Sequence, residues 1–224
     1  MTNNGNVLLG GTIIELRAPD LENEILKGDW HSWFNDSKIT RFLEHGLYPN
    51  TREKQYKFIT NELSNDSNLI LSIYEKKTNR HIGVISLKNI DFINSNAEIA
   101  IVIGVSNIAG SAIEAMALLT EHAFNRLNLQ KLYAGQHESL WKWVNVLKTI
   151  GYKVEGLKLN QCCSFNKRYD IILTGVSKND YYKLLVQRGG NIFQNDIIKH
   201  LKSRSKINFM DNLRKVLDTI NINI

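Results

Sequence analysis

Ala97-Glu98-Ile99-Ala100-Ile101-Val102-Ile103-Gly104, followed after a short gap by Ser111 to Leu127 and then by Lys131-Leu132-Tyr133-Ala134-Gly135, is the stretch on which the reading of the fold turns. The first run is dominated by β-branched residues and reads as a strand. In the second, Ala112, Ala115, Met116, Leu119, Ala123 and Leu127 recur at helical spacing. The third is again a strand. A helix crossing between two strands of one sheet makes them run parallel, and parallel neighbours that part at their ends leave a slot for a flat, extended ligand.

Working outward, Leu69 to Tyr74, Ile82 to Ile90 and Ala97 to Ile103 are apolar runs separated by Lys77-Thr78-Asn79-Arg80 and Asn94-Ser95-Asn96, which predicts an antiparallel meander. Before it, Thr12 to Arg17 reads as a first strand that stops at Ala18-Pro19-Asp20, where a helix starts. Thr51 to Leu63 reads as a separate helix with Thr51 as N-cap. Beyond Gly135, Leu140, Trp143, Val144 and Leu147 mark a helix that ends at Gly151, and strands follow near Lys153 to Leu159 and Tyr169 to Gly175. The class is α+β: a mixed, mostly antiparallel sheet, splayed at a central parallel pair and flanked by helices. Residues 1–176 form its core domain and 177–224 a basic helical C-terminal appendage.

The 224 residues, 43% hydrophobic, suffice for one sizeable core plus that appendage. No run approaches the roughly 18 apolar residues of a membrane span, and Met1 to Asn6 has no basic start leading into an apolar block, so the expectation is a cytoplasmic protein with no membrane partner. Cys162 and Cys163 are adjacent, a poor staple and half a zinc site at most, so neither a disulfide scaffold nor a metal site is expected. The net charge of +6 is concentrated at the end: Val176 to Ile224 carries nine Lys/Arg against four Asp. With few aromatics interleaved, this tail reads as a helical cap or oligomer contact with a solvated basic face rather than a nucleic-acid platform. Apolar spacing from Ile207 to Ile220 suits a homo-oligomer.

Over Thr12 to Val176 the chain resembles the GNAT N-acetyltransferases. The likeness is carried by Gly11 to Arg17, Trp33-Phe34-Asn35-Asp36, Ala97 to Gly104, Glu114-Ala115 with His122-Ala123-Phe124, Leu132-Tyr133-Ala134-Gly135, Gly151 to Gly156 and Tyr169 to Leu173. The branch it looks most like holds ribosomal-protein N-terminal acetyltransferases and bacterial amino-sugar N-acyltransferases. The resemblance implies acyl-CoA, acetyl or longer, as co-substrate. Val102, Ile103 and Gly104 would face the pantetheine, and Asn107, Ile108, Ala109, Gly110, Ser111 and Ala112 would receive the pyrophosphate. That role suits a helix N-terminus, whose N–H groups and partial positive charge attract anions. The chain departs from the family at three positions: Ile108 stands where the loop has its first glycine, Leu140 where a coenzyme-binding Asn is common, and Leu147 where a Tyr acid is common.

Acyl transfer to an amine needs a base to take the ammonium proton. Glu98 is the first candidate, with small or apolar same-face neighbours Ala100, Val102 and Gly104; its other reading is a rim carboxylate paired with Lys or Arg. His137, at the end of the following strand, is the second. For the acceptor, Trp33, Phe34, Arg41, His45 and Tyr48 form a set suited to stacking and to binding phosphates, although most rings in this region read first as core or an oligomer contact. The leading reading is an N-acyltransferase acting on a nucleotide-linked amino-deoxysugar for surface polysaccharide biosynthesis, with a protein N-terminal acetyltransferase and a non-catalytic acyl-CoA-binding module as alternatives.

Overall fold

The computed structural model describes residues 7–43, 46–105, 108–164, 166–193 and 196–222. The chain divides into two compact units, Met1–Leu132 and Tyr133–Ile224.

In the first unit, β1 (Val7–Gly10) and β2 (Ile14–Arg17) form a hairpin, and β3 (Leu69–Glu75), β4 (Arg80–Asp91) and β5 (Asn96–Ile103) continue the sheet, each antiparallel to the one before. Between β2 and β3 lie a π-helical turn (Leu21–Leu26), two single-turn helices α1 (Trp30–Trp33) and α2 (Ser37–Thr40), and α3 (Arg52–Leu63). The predicted Thr51 cap is present, its hydroxyl oxygen accepting from the Lys54 N–H at 3.2 Å. After β5 the chain forms α4 (Ser111–Asn125) and enters β6 (Lys131–His137). Gln130 and Lys131 N–H both donate to the Ser95 carbonyl, so β6 starts where β5 starts and the pair runs parallel, as the crossover requires.

Strand alternation gives this sheet two different faces. Ile14, Leu16, Leu71, Ile73, Ile85, Leu87 and Ile99 lie on the face packed by α4 and are buried. Ile70, Val84 and the end of β5 lie on the other face, under a cluster of Ile25, Trp30, Trp33 and Ile59 from the helical segment. Glu98, Ala100 and Val102 share that second face.

The strand Val7–Gly10 was not read from the sequence. Its junction with β2 is held by a helix residue about 100 positions away. The Glu114 carboxylate, buried in the first turn of α4, accepts from the backbone N–H groups of Thr12 (2.6 Å), Ile13 (2.8 Å) and Ile14 (2.9 Å). Gly11 makes room for it, since a Cβ there would lie 2.6 Å from the Glu114 carboxyl carbon. Three donors on one carboxylate is the arrangement that compensates a buried charge.

The second unit pairs β7 (Lys153–Ser164) with β8 (Lys167–Ser177) in an antiparallel ribbon, and β6 lies on the other side of β8. The Thr174 hydroxyl donates to the Ala134 carbonyl and the Gln136 side chain. A short 3₁₀ turn (Glu138–Leu140) leads into α5 (Trp141–Leu147), which closes through a second 3₁₀ turn onto Gly151 at φ +95°, a left-handed terminus that glycine adopts without strain. The chain ends in α6 (Lys178–Gln187), α7 (Ile197–Ser203) and α8 (Met210–Ile222). Met210 and Phe209 pack with Val144 and Ile172, so part of the apolar spacing read as an oligomer contact is used inside the unit. Part of the basic tail turns inward as well: the Arg214 guanidinium lies 2.9 Å from Asp170 and 2.6 Å from Glu138.

Replacing Glu114 by Ala leaves three N–H groups, that of Ile14 buried and those of Thr12 and Ile13 partly so, without their acceptor. The expected cost is about 3 kcal/mol, measured as a lower urea midpoint with unchanged slope.

Candidate functional site

The end of β5 is fixed from two sides. Along the sheet, the Gly104 and Val105 N–H groups both donate to the Ile82 carbonyl of β4, at 2.9 and 3.1 Å. Because successive N–H groups of a strand point to opposite edges, those of Ile101 and Ile103 point away from β4. Of Val102, Ile103 and Gly104, Ile103 is therefore the one that directs its N–H to the edge where a ligand could pair. From above, the Trp33 indole lies flush against Gly104: a Cβ added there would come 1.9 Å from Trp33 Cδ2. No side chain fits.

At the N-terminus of α4, Gly110 takes φ +91°, and both the N–H and the hydroxyl of Ser111 donate to the Ile108 carbonyl, at 3.2 and 2.9 Å. The Ser111 hydroxyl is therefore engaged as a donor within its own turn. No acceptor among the described residues meets the Ala112 and Ile113 N–H groups, which remain for an anion. Glu114, an anion in the same turn, has its charge taken up by Thr12 to Ile14. Ile108 stands half-buried beside this turn and Ala109 lies exposed; Asn107 lies outside the described residues.

Glu98 is half-buried and stands opposite Lys88 in the β4–β5 register. The Lys88 ammonium, however, lies 3.3 Å from Glu62, and no ion pair to Glu98 is found among the described residues. His137 belongs to the second unit. Its Nδ1 accepts the Ser139 N–H at 3.2 Å, capping the 3₁₀ turn, and its ring leans on Tyr169. With that lone pair engaged, the neutral ring carries its proton on Nε2. Leu147 is fully buried in the same unit.

The acceptor set separates by depth. Trp33 is buried in the helical cluster and Phe34 packs at its border, whereas Arg41 and Tyr48 are exposed, Arg41 with its guanidinium 4.3 Å above the Phe42 ring. His45 lies outside the described residues. The loop bearing Arg41 and Tyr48 is closed at its base by a reciprocal amide pair: Asn35 donates to the Asn50 carbonyl at 2.8 Å, and the Asn50 N–H donates to the Asn35 side chain at 2.7 Å.

Sequence reading missed a buried polar group beneath Trp33. The Glu24 carboxylate accepts from the Ser72 hydroxyl at 2.5 Å and the Tyr74 hydroxyl at 2.9 Å, and lies 3.8 Å from His81 Nε2. Burial pushes Glu24 up from 4.5 to about 7, against the two hydroxyl bonds. Burial likewise pushes His81 down from 6.5 to about 4, so at neutral pH its ring is uncharged, donates to the Gly83 carbonyl at 2.9 Å and forms no ion pair with Glu24. The only hint in the sequence was a glutamate between the apolar residues Leu21 and Ile25.

A profile of the GNAT acetyltransferase domain matches residues 14–153. The chain belongs to the GNAT acetyltransferase family. Among solved structures, GNAT neighbours include the spermidine N-acetyltransferase of Vibrio cholerae in complex with CoA and spermine, 18% identical, at a TM-score of 0.68 over 77% of this chain and 99% of that one. A GCN5-related N-acetyltransferase from Brucella melitensis is 16% identical, at a TM-score of 0.67 over 87% and 93%. A GNAT-family acetyltransferase from Bacillus anthracis is 19% identical, at 0.62 over 76% and 98%. No curated protein sequence matches the chain. Membership makes this protein a CoA-dependent N-acyltransferase with acetyl-CoA as co-substrate. Among the described residues, no group of His, Cys, Asp or Glu is placed to hold a metal ion, and no helix is long and apolar enough to cross a membrane.

Two outcomes follow from this geometry. Gly104→Ala forces the indole off the strand and should lower affinity for acetyl-CoA about tenfold in calorimetry while the far-UV spectrum stays unchanged. For stability, the raised Glu24 contributes most below about pH 4.5 and loses its contribution as pH rises through about 7; the depressed His81 contributes fully above about 6.5 and loses it as pH falls through about 4. The two slopes oppose each other between 4.5 and 6.5, and above that the Glu24 slope alone remains. Thermal midpoints should therefore fall from pH 6.5 to 8 in the wild type and stay flatter in Glu24→Gln.

Proposed function

We propose that this enzyme transfers an acyl group from acyl-CoA to the amine of a nucleotide-linked amino-deoxysugar. The observation that carries the acceptor reading is the charge of the loop around Arg41 and Tyr48: between Ser37 and Lys54 stand Lys38, Arg41, Arg52 and Lys54 against Glu44 and Glu53. Such a cationic lip, with an exposed Tyr48 ring and an arginine stacked on Phe42, suits a diphosphate and a nucleobase. It disfavours a polycation such as the spermine held by the Vibrio cholerae neighbour.

In this reading the pyrophosphate of acyl-CoA meets the first turn of α4, and the thioester lies along the end of β5. Glu98 takes a proton from the acceptor ammonium, directly or through water. The freed nitrogen attacks the carbonyl carbon, the Ile103 N–H receives the oxyanion, and the C–S bond breaks to release CoA thiolate, which takes up the second nitrogen proton through water as the amide forms. With a thiol pKa near 8.5, by analogy with cysteine, that leaving group needs little help from an acid, which accommodates Leu147 in place of a tyrosine. His137 caps its turn and leaves the base role to Glu98. The acyl chain extends to groups longer than acetyl, consistent with Ile108 and Leu140 at two coenzyme positions, and the product belongs to surface polysaccharide assembly.

The test is thiol release from acetyl-CoA and butyryl-CoA with nucleoside-diphosphate amino sugars, spermidine and an N-terminal peptide as acceptors. Turnover is expected with an amino-sugar nucleotide and should fall about 100-fold or more in Glu98→Gln. Preferential turnover of spermidine or of the peptide overturns the acceptor reading, and full activity of Glu98→Gln overturns the base.

A further inference from the structure

Glu24 takes no part in the steps above, yet an unbroken chain of contacts runs from it to the reacting end of β5. Its carboxylate is 97% buried and holds the hydroxyls of Ser72 and Tyr74 on β3. The Tyr74 ring stacks on His81 of β4, with centroids 5.3 Å apart and planes 21° from parallel. His81 in turn touches Trp30 edge-on at 5.2 Å and Trp33 at 4.8 Å. Trp33 closes the chain by lying against Gly104. Every link is within packing distance, and close-packed interiors transmit small displacements rather than absorbing them.

We propose that Glu24, Ser72, Tyr74 and His81 form a positioning network for acyl transfer, which holds the Trp33 indole against Gly104 and so fixes the direction of the neighbouring Ile103 N–H. The proposal rests on the reading that lays the thioester along the end of β5. None of the four touches the reacting atoms. Their part is to keep the oxyanion donor preorganised, the condition under which such a donor is most effective.

The network also gives the site a dependence on pH. As a carboxylic acid Glu24 donates one proton within the cluster; as a carboxylate it accepts from both hydroxyls, so titration reverses a hydrogen bond beneath the ring stack. The groups facing it are Ser72 and Tyr74 from β3, neutral His81 from β4, and Asp20 from the start of its own turn. Arg17 of β2 lies 4.2 Å above the Tyr74 ring and is paired with Glu15 at 2.7 Å, and Glu22 is paired with Lys27 at 2.6 Å. Burial, with the Glu24 charge adding to it, pushes the Tyr74 hydroxyl up, so it stays a donor throughout.

Acetyl-CoA and free CoA are the probes. The ratio of their dissociation constants isolates the acyl carbonyl, because the pantetheine and phosphates are common to both. In the full-length protein the ratio should favour acetyl-CoA and shift by about threefold or more between pH 6 and 8. Glu24→Gln, which keeps the side-chain shape and loses the titration, should remove that shift. His81→Ala should bring the ratio to about one with free CoA affinity unchanged, and His81→Phe, which restores a ring against Trp33, should recover it. Equal affinities in the wild type, a shift that persists in Glu24→Gln, or a ratio insensitive to His81→Ala each overturn the network. Gly104→Ala separates the two levels of the argument. If it alters the ratio while the Glu24 and His81 variants do not, the site reading stands and the network falls. If it leaves both affinities unchanged, the thioester does not lie on β5, and the network falls with the site.

Discussion

The contact of an indole face with a strand that lacks a side chain governs the geometry of the first unit. Trp33 reaches the backbone of Gly104 more closely than any Cβ would allow, and this approach ties the helical segment to the end of β5. On the other side Gly104 is bound to the Ile82 carbonyl. A strand end caught between a ring and a neighbouring strand has little freedom to rotate, and its outward N–H groups keep their direction without a ligand to hold them. That is the condition an acyl transferase needs where negative charge develops on a carbonyl oxygen.

The chain handles its buried carboxylates in three different ways, and the differences separate structural groups from chemical ones. Glu114 is surrounded by backbone N–H groups and serves as a rivet between α4 and the β1–β2 turn. Asp170 and Glu138 share the Arg214 guanidinium, which ties α8 to β8 and the 3₁₀ turn within the second unit. Glu24 has the Ser72 and Tyr74 hydroxyls and the Asp20 backbone for partners and, among the described residues, no positively charged group in contact, so burial dominates and its proton is retained to about neutral pH. Glu98 is half-buried and has no ion partner among the described residues.

Histidines divide in the same manner. His137 follows the strand expected to line the slot, and its position in the sequence suggested a base. Its Nδ1 completes a turn, because the chain reverses there and the Ser139 N–H needs an acceptor. His81 drew no notice in the sequence, since a lone histidine inside an apolar strand has no local signature, yet it is the ring that couples Tyr74 to Trp33.

What could be read without coordinates was whatever depends on near neighbours along the chain. The β-branched run of β5, the helical spacing of α4, the Thr51 cap and the left-handed Gly151 all follow from steric and hydrogen-bonding rules that act within a few residues. The parallel β5–β6 pair follows from them, because a helix must cross between those strands. The strand β1, four residues long with two of them half-exposed and two exposed, carries too little pattern to be recognised. The partners of Glu24 and Glu114 stand 48 to 102 positions away along the chain. No spacing rule reaches that far: which carboxylate becomes a rivet and which retains its proton was settled when the sheet brought distant backbone and side-chain donors together.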